Sequence, residues 1–380
     1  MKCIPNNVET LLMVGTSEKL ADLYYATRFR APDDFIFVWT QNEKILLVSG
    51  LEVDRARDEA DVDRVLLYTD YENKIRSSVE KNPSQEDVVD ALLQDLKVEK
   101  IHVPDSFPIG LGDSLRSNGW DLRVLHGPLF PERQIKTDSE IEHIRNSQKA
   151  AEAGMAAAIN LLCESDIHRG TLVLDGKTLT SERIRRSIHI ALMEFECIAN
   201  HTIVSCGEQG CDPHQEGYGP ILANKPIIID IFPCHSSNGY FGDITRTVVK
   251  DSPSQKVLAL YETVLEAQEI ALKKINHGAD GRDIHNTIQH FFSSKGYATE
   301  QKEGFIQGFF HGTGHGVGLE IHEAPRISQR KDILQSGQVV TVEPGLYYRG
   351  IGGVRIEDTV VVRSNGCENL TSFPKRLELT

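Results

Sequence analysis

No run of eighteen apolar residues occurs anywhere in the 380-residue chain, which excludes an ordinary transmembrane helix. Met1 leads into Lys2, Cys3 and polar residues, so no secretory leader is predicted and the expected location is cytoplasmic. Positive charge is in deficit. The net charge of -14 argues against nucleic acid or an anionic membrane as partner. The seven cysteines form an odd, scattered set. Even the closest pair, Cys206 and Cys211, is not a CxxC, so free thiols in a reducing compartment are expected. An HExxH zinc helix is also missing, because His322-Glu323 lacks the second histidine. What remains is a soluble globular composition, 40% hydrophobic and 25% charged, long enough for two domains.

Residues 1–130 read as a small α/β domain. Phe35–Trp39 and Lys44–Val48 flank a turn-like Thr40-Gln41-Asn42-Glu43, which predicts a hairpin. Val65–Tyr68 and Lys100–Val103 are further strands, and Asp87–Leu96 and Leu111–Asn118 are helices. No residue set there looks catalytic. A linker, Pro128–Arg133, leads into the second domain, 131–380. Its first helix starts at the capping box Thr137-Asp138-Ser139-Glu140. Another follows Thr180, with Ile184, Ile188, Leu192 and Phe195 inward. A third is expected from Ser252, with Pro253 at its first position and Leu258, Tyr261, Leu265 and Leu272 inward. A fourth is capped by Asp280.

The stretch His311-Gly312-Thr313-Gly314-His315-Gly316-Val317-Gly318 and the nearby His322 put three histidines among closely spaced glycines. Such glycines disfavour helix or strand and suit a tight backbone. A phosphate loop is a poor alternative, because no lysine follows and no βαβ unit surrounds it. Carboxylates recur in apolar strands nearby. Asp230 lies in Ile227–Phe232, and Asp243 lies in a returning antiparallel strand, Tyr240–Val249, on one face with Thr245 and Thr247, so the two aspartates can face one point. Glu343 lies in the strand Val339–Gly345, just before a turn, and Glu357 shares a face with Arg355 and Thr359 in Gly353–Val362. Buried carboxylates that converge must be compensated. Asp230, Asp243, His315, Glu343 and Glu357 are therefore candidate ligands of two divalent cations. The oxygen-rich donor set with one imidazole suits Mn(II), Co(II), Zn(II) or Fe(II).

These residues resemble the motifs of the M24 metallopeptidases, the superfamily of aminopeptidase P, prolidase and methionine aminopeptidase. The motifs stand here as Asp230, Asp243-Ile244-Thr245-Arg246-Thr247, His311–Gly318, Thr341-Val342-Glu343-Pro344-Gly345 and Gly353–Asp358. The resemblance implies a two-domain α/β protein. A creatinase-like N-terminal domain would precede a pseudo-twofold "pita-bread" α+β catalytic domain. It implies hydrolysis of the Xaa-Pro bond in dipeptides or at the N-terminus of short peptides, with two metal ions, manganese foremost, in a homodimer. Asp230 would hold one metal, Asp243 and Glu357 both, and His315 and Glu343 the other. Glu343 would shuttle a proton and His214 would serve in proton transfer or substrate binding. His322 would steady the gem-diolate, His311 would line the proline pocket, and Arg355 would support the cleft.

Two features depart from the family. A small residue and glycine usually follow the first aspartate, whereas this chain has Ile231-Phe232-Pro233, and the hairpin to Asp243 is longer. Both bear on substrate size. A metal-free creatinase-like amidinohydrolase and a non-catalytic peptide-binding module on the same fold are the competing readings. A methionine aminopeptidase would not need the first 130 residues.

Overall fold

The computed structural model describes residues 4, 8–78 and 82–379. The chain forms two compact units, one ending at Arg133 and the other beginning at Gln134. No described helix is long and apolar enough to cross a membrane. The described cysteines are all free thiols.

The first unit is built on six strands: β1 (Thr10–Gly15), β2 (Phe35–Thr40), β3 (Lys44–Val48), β4 (Arg64–Leu67), β5 (Lys100–Pro104) and β6 (Asp121–Leu125). Their order is β4-β3-β2-β1-β5-β6. The expected hairpin is β2–β3, in register Ile36↔Leu47 to Trp39↔Lys44. Strands β4, β5 and β6 pair parallel with their neighbours, so helices must cross over between them. Tyr68 does not extend β4; it begins the helix Tyr68–Ser78. The helix Gln85–Asp95 starts from a capping box at Ser84 and buries Val88 and Leu92 in the core.

The second unit repeats one plan twice: a pair of helices and a mainly antiparallel sheet. In the first half the helices are Asp138–Glu164 and Ser181–Met193. The capping box forms as the sequence predicts. Thr137 Oγ1 accepts from the Glu140 amide at 3.3 Å, and Glu140 Oε2 accepts from the Thr137 amide at 2.9 Å. Phe195 lies past the second helix and is exposed, because the chain has already turned at Met193. The sheet runs Ile203–Cys206, Ile227–Ile231, Ile244–Lys250 and Glu378–Leu379.

The second half has the helices Gln255–Lys274 and Gly281–Ser294. The first is capped by Ser254, whose hydroxyl accepts from the Val257 amide at 3.3 Å, so Pro253 precedes the cap. Its buried face is Val257, Leu260, Tyr261, Val264, Ala267 and Ala271; Leu258, Leu265 and Leu272 flank it half-buried. The five-stranded sheet orders Glu323–Ile327, Gly314–Gly316, Val339–Val342, Asp358–Arg363 and Gly366–Asn369. The strand expected over 353–362 is two strands. Gly352–Arg355 pairs with Gly345–Tyr348, and Asp358–Arg363 pairs with Val339–Val342. Glu357 sits in the break.

Candidate metal centre

Each half supplies one wall of the site. Asp230 is in strand Ile227–Ile231, opposite Thr245 of the next strand, and Asp243 lies just before that strand begins. The hydrogen bond from the Glu357 amide to the Thr245 carbonyl then ties the break in the second half to this sheet. From the other wall come His315, in the short strand Gly314–Gly316, and Glu343, directly after Val339–Val342. The glycines have a specific use here. A Cβ on Gly314 would lie 1.9 Å from the Thr341 carbonyl oxygen, and one on Gly316 2.4 Å from that of Ala324. They let the histidine strand fit between two neighbours, and neither has a positive φ.

Donor atoms of Asp243, His315 and Glu357 lie within 4.8 Å of one another. His315 Nε2 is 3.3 Å from Glu343 Oε1 and 3.7 Å from Asp243 Oδ2. Asp230 Oδ2 accepts from Arg355 Nη2 at 2.6 Å, while the buried Oδ1 has no partner. Glu357 Oε2 accepts from Thr245 Oγ1 at 2.7 Å. All five expected ligands line one cavity of about 630 Å³, together with His214, His311, His322 and Arg355.

The electrostatics ask for cations. Burial, followed by the charges of Glu357, Asp230 and Glu343, pushes Asp243 well above the usual carboxylate range. Burial raises Glu357 in the same direction, with Glu343 and Asp230 adding to it. Burial also lifts Glu343 to about 7. His315 is driven the other way, to about 3, again by burial first. Its Nδ1 faces the Gly316 carbonyl at 3.2 Å and must donate to it. Nε2 therefore turns a lone pair toward carboxylate oxygens. That arrangement is repulsive until a cation lies between them, and the orphaned Asp230 Oδ1 points to the same need. The donor set thus fits divalent metal.

A second network stands behind Asp230. His311 Nδ1 donates to the Gly312 carbonyl at 2.8 Å, so its Nε2 accepts from the Tyr347 hydroxyl at 2.9 Å. Tyr347 in turn accepts from Arg355 Nη1 at 3.0 Å. Burial drives His311 down to about 3 and Tyr347 up to about 12, so both are neutral. His322 sits at the exposed edge, its ring 4.3 Å from that of His315 in a T-shaped contact. His214 is exposed on the loop after Gly207–Cys211.

Several contributors have no role in the sequence reading. Arg326 lines the cavity, and its guanidinium has no ion-pair partner among the described residues. Gln148 grips the backbone of Asp243 from the long helix: Nε2 donates to the carbonyl at 3.0 Å and Oε1 accepts from the amide at 2.8 Å. Gln268 does likewise for the residue before Glu343, with Nε2 donating to the Val342 carbonyl at 3.0 Å. The available signal was a glutamine within an otherwise apolar helical stripe. Arg246, between the motif residues Thr245 and Thr247, uses all five donors. They reach Thr245, Glu357, Phe373 and Pro374 carbonyls and the Asp358 carboxylate.

Comparison with known proteins agrees with this geometry. The profile of metallopeptidase family M24 matches residues 142–364. An Xaa-Pro dipeptidase of Pyrococcus furiosus is 33% identical over 264 residues, covering 69% of this chain and 70% of that one. Among solved structures, an X-Pro aminopeptidase of Thermotoga maritima superposes with a TM-score of 0.81 at 26% identity, covering 98% of both chains. An Xaa-Pro dipeptidase of Bacillus anthracis gives 0.82 at 25% identity, covering 98% of this chain and 95% of that one. The two-domain α/β architecture is thus the one these enzymes share.

Proposed function

The chain belongs to metallopeptidase family M24, and from that premise we propose that it hydrolyses the Xaa-Pro bond, acting on dipeptides in preference to longer peptides. The observation that carries this reading is the buried convergence of Asp243, His315 and Glu357, flanked by Asp230 and Glu343 in one cavity. These five residues would hold two divalent ions. Manganese is the first choice, with cobalt, zinc or iron as substitutes. When bound, the metal supplies Lewis-acid activation of the scissile carbonyl and of the attacking water.

The protein's own groups do the rest. Glu343 Oε1, beside His315 Nε2, accepts the proton of the attacking water. His322 donates a hydrogen bond to the oxygen on which charge develops, which favours the transition state over the bound substrate. Its pKa is lowered, by burial first and then by Arg326 and His214, so the neutral ring is the working form. His214 or Glu343 returns a proton to the leaving nitrogen. His311 is held neutral by Tyr347 and offers a flat, uncharged wall to the proline ring. Arg355 orients Asp230 through its hydrogen bond to Oδ2.

Arg326 supports the dipeptide reading. A cavity-lining guanidinium without a carboxylate partner suits the free C-terminus of a dipeptide. The relatives named as Xaa-Pro dipeptidases agree with that choice. Ala-Pro and Ala-Pro-Ala, assayed side by side with added Mn(II), test it. Preference for Ala-Pro is expected, and faster cleavage of the tripeptide moves the assignment to an aminopeptidase. A soluble cytoplasmic homodimer completes the proposal, with sedimentation of the purified protein as its test.

A further inference from the structure

We propose that Phe232 sets the size limit on the residue N-terminal to the scissile bond, making the enzyme selective for small Xaa. This inference rests on the Xaa-Pro reading above. Phe232 follows Asp230 by two residues, just past the end of the strand at Ile231, and both residues line the cavity. Ile203 pairs directly with Asp230 in the neighbouring strand and also lines the cavity. The carboxylate of Asp230 is therefore bordered by two large apolar side chains.

The position of that border is fixed. Before Phe232, the strand pairs on both sides through Ile229 and Asp230. After it, buried Pro233 accepts through its carbonyl from the Gly242 amide, and Cys234–His235 pairs with Cys197–Ile198. The backbone of Phe232 is thus held at both ends and cannot move aside without breaking a ladder.

Its location decides which half of the substrate it meets. Arg326, Ser328, Gly312 and His311 come from the other half of the unit and line the cavity there. Gly314 pairs with Ile327 and His315 with Arg326, so these residues form one continuous surface. With the proline carboxylate on Arg326 and the scissile carbonyl at the carboxylate cluster, the Xaa side chain is left facing Phe232 and Ile203. Neither offers a charge or a hydrogen bond. A bulky Xaa would overlap the ring.

The test is the ratio of kcat/KM for Phe-Pro to that for Ala-Pro, measured on metal-loaded wild type, Phe232→Ala, Phe232→Leu and Phe232→Trp. Wild type should favour Ala-Pro. The ratio should rise about tenfold or more in Phe232→Ala, less in Phe232→Leu, and fall in Phe232→Trp, the scale expected when a pocket gains or loses a few carbon atoms. A ratio internal to each variant removes any shared loss from partial unfolding, and the leucine variant keeps an apolar body at the site. An unchanged ratio across the series overturns the proposal. So does a change that follows the size of the imino-acid ring, read with Ala-pipecolate, in place of Xaa. Failure of wild type to cleave any Xaa-Pro dipeptide would overturn the underlying reading, a result distinct from a flat ratio in active enzymes.

Discussion

Arg355 Nη2 lies 2.6 Å from Asp230 Oδ2, both side chains are buried, and the second oxygen of that aspartate has no partner. One cation from the chain thus serves one oxygen, leaving the other for metal. Arg355→Met should destabilise the metal-free protein by about 3–5 kcal/mol, the usual loss when one member of a buried ion pair is removed. Urea denaturation in chelator measures it. Added Mn(II) should recover much of the loss; no recovery would show that Asp230 does not face metal.

Glu357→Ala removes one carboxylate of the five-residue ligand set. Bound metal should drop and Ala-Pro turnover should fall to near the metal-free rate. Elemental analysis of the dialysed variant is the check, and wild-type metal content with full turnover would remove Glu357 from the site.

His322→Ala and His214→Ala should keep the metal, since neither ring belongs to the five-residue ligand set. His322→Ala should lower kcat by about 10²–10³, the effect of deleting one donor to a developing oxyanion. His214→Ala should lower it by about 10² or more if the ring transfers a proton. Loss of metal from either variant would make that residue a ligand.

His285 gives a pH prediction. It is buried behind the histidine strand, its Nδ1 2.9 Å from Thr313 Oγ1, and burial lowers it from 6.5 to about 4. The unfolded chain takes up this proton near 6.5, whereas the folded chain refuses it until about 4. The group's contribution is therefore fully present above 6.5 and is lost progressively as pH falls toward 4. Between pH ~7 and ~5, wild type should lose more Tm than His285→Gln, which cannot take up that proton. Equal slopes would mean that His285 does not titrate this way.

What the sequence made legible was local or periodic. The Thr137–Glu140 cap is formed within four residues, so neighbouring side chains settle it. Pairing of the antiparallel strands placed Asp230 near Asp243, although Asp243 precedes its strand rather than lying in it. Pairing partners were less visible. The strand over 353–362 breaks at Glu357 because its two ends serve different sheets, a choice made by residues far away in sequence. The helix starting at Gln255 begins two residues later than Ser252 suggested, since either flanking serine could cap and only Ser254 reaches Val257. Gln148 and Gln268 were hidden because their partners are backbone atoms, which carry no signature of their own. Arg326 and Tyr347 stand outside any charge pattern, and only the folded sheet brings them to the cavity or behind it.

The most direct test is to strip the protein with chelator and titrate Mn(II) back while following Ala-Pro hydrolysis against metal bound per chain. The account predicts no turnover without metal and a rise that is complete at two ions per chain. Full turnover in the presence of chelator would contradict it.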